Sequence, residues 1–492
     1  MTSASITRSL VRPAFVRPSS TLLLAVILGA YLMIILDTSI VITALPSIQR
    51  SLHFSAAGLS WVQNTYTLTF GGLLLLGARA GDLLGRRRLF GAGIGLFTLA
   101  SILGGLAPSA EVLLIARALQ GVGAAIAAPA ALALLTTGFP EGPGRTRAVA
   151  LYSAVAGAGG SVGLVLGGML TQWASWRFGL FINAPVGAAL LWLGPRVLPE
   201  TPRRTGHFDV AGAVLSTAGM TALVYGFLRA AADGWTDPFT IGSFVAGVVL
   251  VGLFVVAERR AAHPVIPLRL FASRERSGAY LARAFVVSGM FGMFFFVTQF
   301  LQGVLGFSPL QAGLAFLPTT LVLFAATQVV PKLGARVDDL HLTAAGILLA
   351  LTGMVWLSRV TEGSQYFPQL AIPMALLGAG IGTALIPLTG RGIRGVAPED
   401  AGAASGLINV AQQVGASLGL SILVTLFTSA DRTAGGSARD AFAHGVAAAL
   451  TGSAIFLALA FAVALFALRA REGQPAVVVE PELETVALEL AA

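Results

Sequence analysis

Asp37 is the acidic side chain in the middle of a hydrophobic run that extends from Leu22 to Pro46. A carboxylate at bilayer depth costs several kcal/mol if it stays ionised and unpaired, so such groups face a cavity or a partner and often mark proton or ion pathways. The bland alternative is a protonated acid tolerated at a helix contact. Its natural counterpart is Arg117, the basic residue that lies well inside an apolar stretch. At 1.5 Å of rise per residue, Arg117 lies about 9 Å in from Glu111 and Asp37 about 13 Å in from Pro46, measured from the same membrane face. Comparable depths predict that the guanidinium helps set the proton affinity of Asp37, because an opposite charge lowers a carboxyl pKa while apolar burial raises it. A group that loads and unloads near neutral pH benefits from such opposed effects. The competing role for Arg117 is packing, with bonds only to backbone carbonyls or to Gln120.

These residues need elements that can hold them at depth. Of the 492 residues 56% are hydrophobic and 11% charged, and the mean hydropathy is +0.83, values that exclude a soluble domain of this length. A span needs about 20 apolar residues. Fourteen such stretches occur, near 22–46, 57–78, 89–107, 112–136, 148–171, 177–198, 208–228, 239–257, 280–302, 313–331, 342–358, 368–388, 404–427 and 443–468. The expectation is an all-α membrane protein with 14 transmembrane helices.

The net charge of +9 would suggest a nucleic-acid partner in a soluble protein, but its distribution follows the membrane instead. Of the 31 Lys and Arg residues, 24 fall on connections of one parity, with Arg283 counted among them, 6 fall on the other, and Arg117 sits within a span. This asymmetry predicts a multi-pass protein of the cytoplasmic membrane with both termini inside. Cysteine is absent, which removes disulfides, thiolate metal sites and cysteine nucleophiles. The histidines at 53, 207, 263, 341 and 444 fall in loops or at span ends without ligand spacing, so no metal, no cofactor and no enzyme activity are expected. No phosphate-binding loop of an ATP-driven pump occurs. The connection from Glu258 to Ser277 is basic and reads as unstructured, and the glutamate-rich stretch after Arg471 reads as a disordered tail.

The second half of the chain echoes the first. Gly77–Arg88 after span two has a degraded counterpart in Lys332–Asp338 after span ten. Ala116–Ala125 matches Leu376–Ala384, and the glycines of span five face those of span thirteen. Spans seven and eight have no counterpart. The organisation expected is an N-terminal tail at 1–21, a six-helix bundle at 22–198, an inserted two-helix hairpin at 208–257, a second six-helix bundle at 280–469 and a tail at 470–492.

Four segments in this order resemble the major facilitator superfamily, and more closely its 14-span drug:proton antiporter branch. They are Leu36–Pro46 on span one, Gly77–Arg88 between spans two and three, Arg117–Gly123 on span four, and Trp176–Arg177 with Asn183–Gly187 on span six. The resemblance covers nearly the whole chain and implies two six-helix bundles of the major facilitator type plus a two-helix insertion. One departure stands out: in Gly159-Gly-Ser-Val-Gly163-Leu164-Val-Leu-Gly167-Gly168, Leu164 occupies the place of the antiporter motif's proline. The glycines Gly159, Gly163, Gly167 and Gly168 needed for close helix approach remain, without the kink.

The resemblance implies that Gly77, Gly81, Asp82, Gly85 and Arg86 form a conformational latch, with Asp82 pairing in one of two alternating states. Helical spacing of polar and aromatic residues gives a candidate substrate cavity of Gln63, Tyr66, Gln120, Phe291, Phe295, Gln299, Gln302, Asn409 and Gln413. An aromatic pocket with a few amides suits hydrophobic, often cationic compounds. The function expected is proton-coupled efflux of such compounds by a monomer, with protons and the bilayer as further partners. The alternatives are a dedicated exporter of one metabolite, lipid or antibiotic and, from another class, a membrane sensor without transport.

Overall fold

The computed structural model describes residues 20–139, 142–200, 209–261, 264, 266–334, 336–397, 400–433 and 437–468. The expected tails at 1–21 and 470–492 lie outside the described residues except for Ser20 and Thr21. Among the described residues fourteen helices are long and apolar enough to cross a membrane. The first six are α1 (Ser20–Leu52), α2 (Ala56–Leu84), α3 (Arg86–Gly105), α4 (Ala110–Gly138), α5 (Gly144–Trp173) and α6 (Trp176–Val197). Two more follow, α7 (Val210–Asp233) and α8 (Pro238–Arg260). The last six are α9 (Arg274–Gly303), α10 (Pro309–Gly334), α11 (Asp339–Leu357), α12 (Ala371–Ile393), α13 (Gly402–Asp431) and α14 (Ala438–Ala467). Successive helices run in opposite directions, so Gly85, between α2 and α3, marks one face of the protein and Pro46 lies toward the other.

Lipid tails give apolar helices no reason to prefer each other over the solvent, so close packing through small residues holds them. A Cβ on Gly123 of α4 would stand 2.7 Å from Phe97 N of α3, and one on Gly93 would stand 2.7 Å from Ala127 N. The same crossing recurs between α11 and α12, where a Cβ on Gly346 would stand 2.7 Å from the carbonyl of Gly380. Gly121 of α4 abuts the Tyr66 carbonyl of α2, and Gly382 of α12 abuts the Leu323 carbonyl of α10. Gly163 and Gly167 bring α5 against Ser39 and Ile40 of α1, as Gly415 and Gly419 bring α13 against Ala284 and Ser288 of α9. Gly168 instead meets Pro309 and Leu310 of α10, and Gly159 meets Ile35 and Leu32.

The α7–α8 pair packs differently. Thr217 of α7 fills the notch left by Gly72 of α2, Thr425 of α13 donates to the Phe227 carbonyl of α7 at 2.9 Å, and α8 presents most of its surface outward. The turn between them is clamped by Asp237, which caps α8 by accepting from Thr240 N at 2.9 Å and pairs with Arg229 Nε at 2.7 Å. This hydrogen bond from Arg229 is the main reason that the Asp237 carboxyl lies below its ordinary range.

Two expectations need correction. Residues 77–84 are not a loop: α2 continues through Leu84 and the connection narrows to Gly85, whose φ of 105° is open to glycine and strained for other residues. The connection from Glu258 to Ser277 is not unstructured either. It contains a 3₁₀ turn at Leu268–Ala272, Ile266 N donates to Glu258 at 3.1 Å, and Arg269 forms a two-pronged pair with Asp400 at 2.6 and 2.7 Å.

Candidate functional site

Four helices converge on Asp37. Its Oδ2 accepts from Arg117 Nη1 at 2.6 Å, and its Oδ1 accepts from Gln120 Nε2 and Asn183 Nδ2, both at 2.8 Å. Arg117 also donates to Gln120 Oε1 at 2.9 Å and to the Val62 carbonyl at 3.0 Å. Ser101 of α3 completes the set by accepting from Gln120 at 2.8 Å and from Asn183 at 3.2 Å. Asp37, Arg117, Gln120 and Ser101 have no exposure at all. All three partners of the carboxyl group donate to it, so both its oxygens are engaged within the buried interior. Arg117 therefore bonds both Asp37 and the groups that a packing role would require.

The pair lies one side-chain layer behind a cavity. Arg117 places its guanidinium carbon 4.5 Å from the centre of the Tyr66 ring, and Tyr66 together with Thr38, next to Asp37 in sequence, lines a cavity of about 600 Å³. Its wall includes Tyr31 and Tyr152, stacked with ring centres 3.8 Å apart, Phe70, Phe291, Asn409, Gln412 and Gln413. Among the described residues none that lines it is charged. The cavity reaches Thr136 and Gly402, in the last turn of α4 and the first of α13, on the face that carries Gly85. Toward the opposite face the walls are joined: Gln302 Nε2 donates to the Thr43 carbonyl at 3.0 Å, Asn64 Nδ2 to Ser421 Oγ at 3.0 Å, and Leu310 N to Gln172 Oε1 at 3.3 Å.

Of the nine residues expected to line the cavity, Tyr66, Phe291, Asn409 and Gln413 do so. Gln120 belongs to the Asp37 network instead. Gln299 and Gln302 line a separate pocket beside Pro46 and Phe442. Phe295 is core, and Gln63 is buried with an amide that finds no partner among the described residues. Helical spacing gives the face of a helix but not which neighbour covers it. Asn183 and Ser101 were missed as ligands of the Asp37 network. The available signal was polarity at single positions of otherwise apolar helices. Arg283, counted with the loop cations, is the tenth residue of α9.

At the expected latch, Asp82 Oδ1 accepts from Arg86 Nη2 at 2.9 Å and Nε at 3.2 Å across the Gly85 break. Arg86 also donates to the Ala133 carbonyl of α4 at 3.5 Å. Gly77 lies against the Ala125 carbonyl of α4. Gly81 has ordinary room, with Arg86 Cγ 3.7 Å from a Cβ built there. Glu200 takes Arg87 at 3.3 Å.

The family model described as Major Facilitator Superfamily matches residues 27–420. The puromycin resistance protein of Streptomyces alboniger is 44% identical over 413 residues, covering 83% of this chain and 82% of the relative. The cephamycin export protein of Amycolatopsis lactamdurans is 41% identical over 468 residues, covering 94% and 96%. The tetracenomycin C resistance and export protein of Streptomyces glaucescens is 35% identical, covering 84% and 76%. Among solved structures, an auto-inhibited peptide transporter of the POT family superposes with a TM-score of 0.66 at 17% identity, covering 92% of this chain and 99% of that one. A bacterial homologue of the human lysosomal transporter Spinster superposes with a TM-score of 0.61 at 20% identity, covering 92% and 97%. At these identities the structures speak for the fold alone.

Proposed function

Because the chain belongs to the major facilitator superfamily, we propose that it exports small hydrophobic compounds across the cytoplasmic membrane in exchange for protons, acting as a monomer without cofactor or catalysis. The supporting observation is the buried Asp37–Arg117 pair, one side-chain layer behind an aromatic cavity between α1–α6 and α9–α14. Protonation of Asp37 removes the charge that Arg117, Gln120 and Asn183 hold, and the released guanidinium must find other acceptors. Tyr66 and Thr38 carry that rearrangement into the cavity wall. Proton loading and substrate release then bias the same alternation of the two six-helix units, 22–198 and 280–469, with the hairpin at 208–257 beside their seam. The names of the relatives support efflux, since they describe resistance or export.

The test is transport by the purified chain in vesicles with an imposed pH gradient and a panel of lipophilic compounds. Gradient-dependent uptake into inverted vesicles is expected, and uptake that ignores the gradient would reject proton coupling. A second reading, a dedicated exporter of one antibiotic, is favoured by relatives named for single compounds. Transport of one member of the panel alone would select it.

In the proposed orientation both termini and Gly85 face the cytoplasm, consistent with the basic residues on that side. Reporter tags near Gly234 and His263 should label opposite sides, and labelling of the same side would overturn the hairpin. The Asp82–Arg86 pair serves as the latch, holding one state. Asp82→Asn should leave substrate affinity unchanged and slow turnover several-fold, and a wild-type turnover rate would remove Asp82 from the cycle.

A further inference from the structure

Behind the cavity wall formed by α9 and α13 lies a half-buried guanidinium that no acid among the described residues matches. Arg283 donates from Nη1 to Thr389 Oγ1 at 2.9 Å and from Nη2 to Gln412 Oε1 at 2.8 Å. Its Nε is buried and finds no hydrogen-bond partner, and among the described residues no carboxylate lies within 4 Å of the group. Arg117 also leaves one nitrogen, Nη2, without a partner, but its charge is met: it bonds one carboxylate, one amide oxygen and one carbonyl. Arg283, half-buried, has only a hydroxyl and an amide among the described residues, and a partly desolvated cation held by neutral groups leaves part of its desolvation cost unanswered.

The position of that cation decides who can answer it. Gln412 lines the cavity, and its Oε1 is the group through which Arg283 is held. An amide oxygen is the neutral stand-in for a carboxylate oxygen, with the same acceptor geometry and no charge. If Gln412 turns aside, an anion in the cavity gains the guanidinium, whose planar fork fits a carboxylate. The rest of the cavity offers apolar and aromatic surface and no acidic residue to bind an organic cation by charge.

We propose that Arg283 is the anchor for a carboxylate on the transported compound, so that the substrates are amphiphilic organic acids with an aromatic or otherwise apolar body. This rests on the export reading and names its substrate class. Three probes of one skeleton separate the possibilities: N-dansyl-phenylalanine, its uncharged methyl ester and its cationic aminoethyl amide. Binding to the purified full-length chain is read by dansyl fluorescence and transport by uptake into inverted vesicles. The acid should bind tighter than ester and amide to wild type. Arg283→Gln should weaken the acid roughly tenfold to a hundredfold, the usual range for a hydrogen-bonded charge, and leave the ester nearly unchanged, with Arg283→Lys in between. Equal weakening of acid and ester would show that Arg283 only ties α9 to α12 and α13, and would overturn the proposal, as would wild-type preference for the amide. Displacement of the acid by phosphatidylglycerol in the vesicle, with no acid preference in its absence, would assign the cation to a lipid phosphate and equally overturn it. Acid-selective binding without gradient-driven uptake of any probe would sink the export reading and leave the site standing.

Discussion

At the α3–α4 crossing Gly93 and Gly123 set two backbones side by side, and at the α11–α12 crossing Gly346 and Gly380 do the same. The polar interiors next to these crossings differ in charge, although in each an arginine donates to a glutamine side-chain oxygen. Beside α3–α4 a carboxylate, a guanidinium, two amides and a hydroxyl bond one another in the buried interior, whereas beside α12 Arg283, half-buried, holds Thr389 and Gln412 and no acid among the described residues. Packing and chemistry have thus separate sequence requirements. Small residues at a fixed spacing reproduce a crossing wherever they recur, while charge is placed once, and each copy of the scaffold is free to hold a different ion.

The sharpest way to break this contrast is to neutralise each charge in turn. Asp37→Asn is expected to reduce gradient-driven transport at least a hundredfold in vesicles while leaving the chain inserted, since an amide is cheaper to bury than a charge. Arg283→Gln should keep its response to the gradient for an uncharged substrate. If the Asp37→Asn protein still moves protons with substrate at the wild-type ratio, the proton travels elsewhere.

Stability gives the next largest separation. Arg117→Gln leaves the Asp37 charge buried with only amide donors and should cost about 3–5 kcal/mol, read as loss of thermal stability in detergent. Most of that loss should return in the double variant with Asp37→Asn, because the two changes share one interaction. Arg283→Gln, which removes a cation that has no acid, should cost far less. Equal losses at the two arginines would erase the difference between the two interiors.

The shared packing predicts matched effects. Gly123→Val and Gly380→Val each force a side chain into backbone of the neighbouring helix, and each should cost about 1–3 kcal/mol, measured as the yield of folded protein. A large loss at one and none at the other would mean that the crossings only look alike.

The smallest effect lies in the hairpin between α7 and α8. The Asp237 carboxyl titrates below its unfolded value, so its contribution is present above the unfolded pKa and is lost as pH falls through the lower, folded one. Unfolding midpoints of wild type and Asp237→Asn should differ at neutral pH and converge in acid. Parallel midpoints from neutral pH to about pH 3 would remove the clamp role from this acid.

Depth along a helix is legible from sequence because it needs only counting, and counting alone puts Asp37 and Arg117 at comparable depths. The number and order of the spans followed from length and hydropathy. What surrounds each helix was less legible. Gln120, Phe295 and Gln63 have the spacing of cavity residues but turn to other neighbours, and Gln302 bonds the Thr43 carbonyl instead. Period alone fixes a face, while the helix that covers it is chosen by glycine contacts that involve distant parts of the chain. Arg283 escapes for a different reason: near a span end, a loop cation and one already inside the helix have the same flanking sequence.

The hairpin inserted at Val210–Arg260 grips both sides of a seam. Thr217 sits in the notch at Gly72 of α2, and the Phe227 carbonyl accepts from Thr425 of α13. Any rocking that parts α2 from α13 must either pull the peg from its notch or break that hydrogen bond. In the proposed cycle the pair of helices therefore acts as a brake on the parting of α2 from α13, a load that the two proposed six-helix units alone would not carry.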